Sequence, residues 1–475
     1  MLEKGNDSII WPLILDGDMD KDHRTINLIA LNVGKSVIIA AIYFLASLIG
    51  GVFRLNNNVS PIIWPQAGVA LAAVLLIGYT ALPGVFFGSL TIALATGVPL
   101  QFSIINAFGN TLSVFIPAYF VFQQKDFSKL LDNYISILLL VLFGVFIGPL
   151  ITAMINIIGL YSLQLAPIES LPSILGNHWL RDALGVLVFS PFLLVWLGNP
   201  IPRLNKEQII EELAIFLAVI GLVLFPFFGE IHSDAAYSIS FLVIPLIIWA
   251  SIRNKIHGSL LINFITSMIF FWGITHNQGS LFNGSSPPYL TFVFIICTMQ
   301  ITSLIISASM AKLRISQKSL SYLSTHDTLT RLYNRLFFET EFKRLEKSRL
   351  FPISIIMADI DKLKDVNDTF GHPTGDQVLI NVASLFSEVF RQEDIVSRFG
   401  GDEFVILLPS TDALIAKKII TRIKKQISSY NQKHVDLPIN ISMGISTANQ
   451  GESLKGHLKN ADKLMYQEKQ KKKRK

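Results

Sequence analysis

Residues 358–376, ADIDKLKDVNDTFGHPTGD, and residues 398–408, RFGGDEFVILL, decide how the last third of this chain folds. Leading into the first, ISIIMADI (353–360) is a short apolar run rich in isoleucine and bounded by turn residues. That is the usual mark of a buried β-strand, and it puts Asp359 near a strand's end. The second stretch predicts a hairpin: IVSRF, then Gly400 and Gly401, then an apolar run from Phe404 to Leu408, with the glycines supplying the positive φ of a tight turn. Such a turn carries Asp402 and Glu403 to the sheet's edge. Two acidic clusters at neighbouring strand ends suit two-metal phosphoryl transfer, because magnesium prefers carboxylate oxygen and shares its remaining positions with substrate phosphates. With the ions about 4 Å apart, one lowers the pKa of an attacking hydroxyl while the other neutralises a leaving pyrophosphate. Aspartates beside glycine are also common as solvated turn residues. The tetrapeptide GGDE alone leaves both readings open.

The flanking residues resemble the GGDEF family of diguanylate cyclases over roughly the last 150 residues. The matching positions are His326, Asp327, Leu329, Thr330, Leu332, Asn334 and Arg335 (HDTLTRLYNR); Asp359, Asp361, Lys364, Asn367, Asp368, Gly371, His372, Gly375 and Asp376; Gly400 to Phe404; and Ala461, Asp462, Tyr466 and Lys469. The resemblance implies a homodimer in which two GTP molecules, one on each of two facing domains, are joined into cyclic di-GMP with release of two pyrophosphates. It implies Asp359, Asp402 and Glu403 as the catalytic acids. These three, with the Ile360 carbonyl, would hold two Mg2+ per active site, Mn2+ being the alternative ion, and one of the GGDEF acids takes the proton from the ribose 3′-hydroxyl. Asn367 and Asp376 would read the guanine edge, where a carboxylate accepts from N1 and N2 and an amide meets O6 or N3. His372 looks like a neighbour of that pocket. Lys364 and Lys469 supply cationic donors to the triphosphate, and Gly400 and Gly401 let backbone approach it.

Arg391 and Asp394, in RQED, together with Arg422 match the family's inhibitory product site, where guanidinium suits phosphate and the Hoogsteen edge of guanine. A surface ion pair at i, i+3 is the plainer reading. One departure stands out. The family usually ends in Gly-Arg-Asn after the last helix, whereas this chain has Lys472, Lys473 and Arg474. Lys473 can meet a phosphate as a point charge, without arginine's fork.

The whole chain has 475 residues, 51% hydrophobic and only 16% charged, a balance that ordinary soluble domains rarely reach. The apolar excess ends near residue 310, which divides the chain into a membrane half and an aqueous half. The formal charge of +6 owes much to the tail KQKKKRK. A nucleic-acid partner needs a basic face with interleaved aromatics. These lysines trail a helix instead, so no nucleic acid is expected, only solvation or attraction to the anionic lipid of a bilayer. The single cysteine, Cys297, lies in an apolar run and indicates no disulfide within the chain and no thiol chemistry.

Residues 1–27 carry mixed charge with no cleavable signal pattern, and read as a cytoplasmic N-terminal segment. A transmembrane sensor domain is expected over 28–310. Spans of about 18 to 22 residues, enough for roughly 30 Å of hydrocarbon, fall near 33–53, 62–79, 83–101, 104–122, 134–158, 179–197, 213–229, 237–253, 258–275 and 289–310. Ten is the count, with eight as the alternative. Basic residues then collect on one side, as cytoplasmic loops require: Lys21, Arg24 and Lys35; Lys125 and Lys129; Arg203 and Lys206; Arg253 and Lys255; Lys312, Arg314 and Lys318. The loops 159–178, 230–236 and 276–288 contain no Lys or Arg, and Arg54 and Arg181 are the exceptions. A multi-pass protein of the bacterial inner membrane follows, with its GGDEF domain in the cytoplasm.

Three stretches resemble the first type of membrane-associated sensor (MASE) domain: SPIIWPQAGVALAAVLLIGYTALPGVFFGS from Ser60, NAFGNTL from Asn106 and HWLRDALGVLVFSPFLL from His178. Such a domain implies a sensory ligand, whose identity stays open. Arg181 and Asp182 would each cost about 2.5 to 3.5 kcal/mol at a helix centre, so they pair, line a polar cavity, or mark a span boundary, the last being favoured. From 305 to 325 the last span continues with apolar residues at helical spacing (Ile306, Met310, Leu313, Leu320, Leu323). This predicts a signalling helix able to pair with its twin.

Over 326–475 the order helix (335–347), strand (353–359), short helix and loop, helix (375–390), strand–turn–strand (395–408), helix (411–429), strand (439–446), helix (457–470) predicts an α/β sandwich on a mainly antiparallel sheet. This is the palm-like, adenylyl-cyclase-like arrangement that the resemblance implies. The expected protein is a polytopic α-helical membrane domain followed by a cytoplasmic α/β cyclase domain. The alternative is a catalytically silent GGDEF receptor for cyclic di-GMP or GTP. The intact acidic set favours the enzyme.

Overall fold

In the computed structural model the chain forms two compact units, Met1–Leu313 and Arg314–Lys475. Residues 21–54, 61–201, 204–228, 239–253, 256–276, 289–391 and 393–474 are described, with 21–29 and 289 described by their backbone alone. The expectations placed on 1–20, on the loop 230–236, on 277–288, on Ser60, Arg203 and Lys255 lie outside the described residues.

The first unit is helical: α1 (Lys21–Val52), α2 (Pro65–Ile77), α3 (Leu82–Ala95), α4 (Leu100–Phe122), α5 (Tyr134–Ser162), α6 (Leu171–Gly198), α7 (Lys206–Phe228), α8 (Val243–Arg253), α9 (Ile256–His276) and α10 (Tyr289–Thr325). Among the described residues eight helical stretches are long and apolar enough to cross a bilayer. A helix satisfies its own backbone there, where no water can. The spans expected at 62–79 and 83–101 form one such stretch, Pro65–Ala95, interrupted at Gly78 where φ is +80°.

Two of the stretches singled out in the sequence meet closely. A Cβ on Gly68 would collide with the Gly185 carbonyl, and one on Gly185 would collide with the Trp64 carbonyl. Small residues thus bring α2 and α6 backbone to backbone, the packing that membrane helices favour. The third stretch adds polar bonds: Asn110 Nδ2 donates to Ser89 Oγ at 2.8 Å, and Asn156 Nδ2 donates to Asn106 Oδ1 at 3.0 Å.

Arg181 and Asp182 lie within a helix and not at its end. α6 begins at Leu171, ten residues before Arg181, and both side chains are buried. Arg181 Nε donates to the Asn177 carbonyl at 3.0 Å, and its guanidinium lies 4.7 Å from the centre of the Trp64 ring. The Trp64 ring, just ahead of α2, and a carbonyl of α6 hold the cation inside, which a single span's sequence cannot reveal.

The second unit comprises α11 (Arg335–Glu346), β1 (Ile353–Ile360), α12 (Leu363–Phe370), α13 (His372–Val389), β2 (Ile395–Gly400), β3 (Glu403–Leu408), α14 (Ala413–Lys433), β4 (Ile441–Ala448) and α15 (Leu454–Lys473). The four strands form one antiparallel sheet in the order β2-β3-β1-β4. Every residue of β1 is buried, because the sheet is covered on both faces. Ile356, Ala358 and Ile360 join a core with Val382 and Phe386 of α13 and Ile423 of α14. Ile353, Ile355 and Met357 join another with Phe338 of α11 and Ala461 and Met465 of α15.

Side-chain caps start the helices. Asn334 accepts from Phe337 N, Asp412 from Ile415 N and Ser453 from Gly456 N. α13 starts at His372, three residues before its expected position, with proline in its first turn. Gly371, at φ +83°, makes the corner from α12.

Candidate active site

β1 and β3 bring the two acidic clusters together. Asp359 stands opposite Glu403 in the ladder, and the Ile360 N–H donates to the Asp402 carbonyl at 3.1 Å. The β2–β3 register shifts between Arg398 and Gly400, and Gly401 takes φ +53° to complete the turn. Neither glycine has an atom within 4 Å of where a Cβ would sit, so the turn borders open space.

Arg398 clamps this turn. Its Nε and Nη2 donate to the Gly401 carbonyl at 3.1 and 2.9 Å, while Nη1 reaches Asp327 Oδ1 at 3.2 Å. Asp327 also accepts from the Thr330 amide at 2.8 Å and hydroxyl at 2.7 Å. Burial alone would raise the Asp327 pKa, but the Thr330 and Arg398 bonds outweigh it and hold the carboxyl below its ordinary range. Since the folded state then binds the proton less tightly than the unfolded state, this contribution is full above pH ~4 and is lost as pH falls through the depressed value. Arg398→Ala should cut turnover about tenfold by loosening the acids, and Asp327→Asn should lessen the fall in melting temperature below pH ~4. Steady-state rates and melting scans between pH 3 and 6 check both.

The acids are crowded. Burial, with Asp402 nearby, raises the Asp359 pKa although Lys469 Nζ donates to its Oδ1 at 2.5 Å. Burial, with Asp359, Asp402 and Asp462 around it, raises that of Glu403. Burial would lower the Lys469 pKa, yet the bond to Asp359 and the surrounding carboxylates leave it raised. So much negative charge around one ammonium suits divalent cations. Among the described residues no three His, Cys, Asp or Glu side chains make a ready cage. An ion held beside the Asp359, Asp402 and Glu403 carboxylates and the Ile360 carbonyl would have to complete its shell from elsewhere, as from substrate phosphate oxygens.

The expected guanine residues sit on the corner of α12 and α13. Asn367 is half-buried, and a Cβ on Gly375 would run into its Oδ1, so the glycine is what lets the amide lie flat against α13. Lys364, His372 and Asp376 are exposed. A cavity of about 710 Å³ is lined by three aspartates, Asp361, Asp365 and Asp436, and by Lys362, Lys469, Lys472 and Lys473.

Residues 324–475 match the family model described as "Diguanylate cyclase, GGDEF domain". Residues 35–319 match that of MASE1, the membrane-associated sensor. The chain belongs to the MASE1–GGDEF diguanylate cyclases. Relatives of the cyclase include the "Probable diguanylate cyclase DgcF" of Escherichia coli, 25% identical and covering 87% of each chain. Diguanylate cyclase A of Treponema denticola is 35% identical over 34% of this chain and 46% of that protein. Among solved structures, the coiled coil and GGDEF domain of DgcB from Caulobacter crescentus, in complex with c-di-GMP, gives a TM-score of 0.32 at 29% identity, covering 34% of this chain and 90% of that one.

In the cyclase the residues expected to bind product are only partly gathered. Asp394 is buried and accepts from the Arg391 amide at 2.9 Å, which makes it a turn cap. The Arg391 side chain is 74% exposed, 3.8 Å from Glu393, and Arg422 donates to the Val389 carbonyl. Two residues escaped the sequence reading. Arg398 was visible only as the neighbour of a motif, and its partner Asp327 lies 71 positions away. Lys472 rather than Lys473 reaches the acids, with Nζ 2.9 Å from Asp361 Oδ2 and 2.7 Å from the Ile441 carbonyl.

Proposed function

We propose that this cyclase condenses two GTP into cyclic di-GMP and two pyrophosphates by two-metal chemistry, across a dimer whose activity the membrane unit sets in response to a sensory ligand. The observation that carries this reading is the pairing of Asp359 with Glu403, with Asp402 tied to Ile360 on the neighbouring strand. Asp359, Asp402 and Glu403, with the Ile360 carbonyl, would hold the ions, two Mg2+ per site. When bound, the metals lower the pKa of the ribose 3′-hydroxyl and offset charge on the leaving pyrophosphate. Glu403, whose carboxyl burial pushes up, takes the 3′ proton. Asn367 and Asp376 read guanine, with His372 beside them, and Lys364 and Lys469 meet the phosphates.

Dimerisation is supported by α10, which exposes Leu313, Ile315, Leu320 and Leu323 beyond its apolar segment. A helix carrying such side chains into water gains by packing on its twin. The long apolar helices and the match to a membrane-associated sensor support placement in the bacterial inner membrane, with the cyclase unit in the cytoplasm, where GTP is found.

Full-length protein in detergent, given GTP and Mg2+, should yield cyclic di-GMP and pyrophosphate in a 1:2 ratio by ion-exchange chromatography. Linear dinucleotide, or no turnover, would sink the reading. The exposed Arg391 guanidinium is proposed to bind product with Asp394 and Arg422. Arg391→Ala should raise the cyclic di-GMP concentration for half-inhibition about tenfold or more, the worth of a charge-assisted contact. An unchanged inhibition curve removes that assignment.

A further inference from the structure

Asp182 lies inside a membrane span and is 2% exposed, yet its Oδ1 accepts no hydrogen bond. Two neighbouring acceptors share that condition: Gln66 Oε1, on a side chain 3% exposed, and the buried Nδ1 of His178. An ionisable group kept within a bilayer and left short of partners is costly, and such groups mark functional sites. The packing of α1, α2 and α6 puts the three side by side. His178 and Asp182 are four residues apart on one face of α6. The Trp64 amide donates to the Arg181 carbonyl at 3.2 Å, which seats the start of α2, and Gln66 with it, against that turn of α6. The His178 ring stands edge-on to that of Trp64, with centroids 5.7 Å apart. A Cβ on Gly50 would lie 3.6 Å from Gln66 Oε1, so the amide oxygen faces α1, the helix whose Tyr43 is within electrostatic reach of Asp182.

The donors that flank Asp182 are engaged elsewhere. The Tyr43 hydroxyl shares a hydrogen bond with Ser89, whose Oγ also accepts from Asn110 Nδ2 at 2.8 Å. Arg181 is turned to the Asn177 carbonyl and the Trp64 ring. What stays open is a set of acceptors: a carboxyl oxygen, an amide oxygen and, with its proton on Nε2, an imidazole nitrogen. A primary ammonium group brings three N–H donors and one positive charge, the complement of that set. We propose that Gln66, His178 and Asp182 bind the primary ammonium group of a small molecule, and that this molecule is the sensory ligand of the membrane unit. The inference rests on the sensory role proposed above and gives that ligand its chemistry. The route in is the start of α6, where Gly176 and Asn177 are exposed and His178 is half-buried.

The test titrates full-length protein in detergent with ethylammonium, putrescine and phenethylammonium chlorides, and with tetramethylammonium chloride, which has the charge but no N–H donor. At least one of the three amines should raise the melting temperature saturably, and tetramethylammonium should not. Asp182→Asn should raise the half-saturating concentration about tenfold or more, the loss of a charge-assisted contact. Gln66→Leu should raise it about threefold, the loss of a neutral one, and carries the test alone if the asparagine variant does not fold. Cyclic di-GMP synthesis in the same wild-type samples should change with the same half-saturation. No saturable rise with any of the three amines overturns the proposal. So does an equal rise with tetramethylammonium, which marks a bulk ionic effect, or an unchanged half-saturating concentration in the variants. Amine binding that depends on Asp182 but leaves synthesis unchanged would instead take down the sensory role beneath the site.

Discussion

Asp402→Ala should lose cyclic di-GMP synthesis by about 10³-fold or more without losing stability, and the combination is what makes it informative. Removing a carboxylate that would hold metal leaves the ions short of a donor that Glu403, facing its own neighbours, does not replace, and losses of 10² to 10³ follow from one misplaced charge-stabilising group alone. Stability should move the other way. The Asp359 and Glu403 pKa values are raised by burial and by neighbouring carboxylates, Asp402 among them. A carboxyl with a raised folded pKa costs stability once pH passes its unfolded value near 4, so the crowding is a strain at neutral pH that the alanine relieves. Product chromatography and melting scans at pH 7, with no metal added, give both readings. Asp359→Ala should match the loss of rate but not the gain in stability, because it strands the Lys469 ammonium. Residual activity above a tenth of wild type in the Asp402 variant would assign the chemistry elsewhere.

Gly444→Val should unfold or badly loosen the catalytic unit. Gly444 lies in the centre of β4 opposite Met357, and a Cβ there would press on the Ala461 carbonyl and the Met465 amide of α15. Both are backbone atoms inside a helix, and neither can rotate aside as a side-chain tip can. The helix must lift from the sheet, which opens the core holding Ala461 and Met465 and withdraws Lys469 and Lys472 from the acids. Overpacking of this kind costs about 3 kcal/mol, which in a unit of this size lowers the melting temperature by about 10 °C. A shift under 2 °C would show that α15 has room to adjust.

The chain's two-part character was legible because each half is written in its own period. Apolar runs of span length end near residue 310, and β1, β3 and the helices between them show the short apolar runs and amphipathic repeats of a covered sheet. The acids were legible too, since strand ends and a double glycine fix where Asp359, Asp402 and Glu403 lie. Less legible was what a second, distant segment does to a residue. The burial of Arg181 depended on Trp64, far earlier in the chain and just ahead of α2.

By itself the sequence determined the element order, the membrane and aqueous halves, and which acids, amides and lysines are available for nucleotide chemistry. Local periodicity and turn chemistry specify these, and both are properties of adjacent residues. Tertiary structure alone decided that Arg398 braces the GGDEF turn through Asp327, that Lys472 and not Lys473 meets Asp361, that Asp394 caps its own turn, and that Gly68, Gly185 and Gly444 are required by backbones passing close by. The reason is physical: a side chain's partner across a packed interface is set by register and distance between segments far apart in the chain, and no local pattern encodes either.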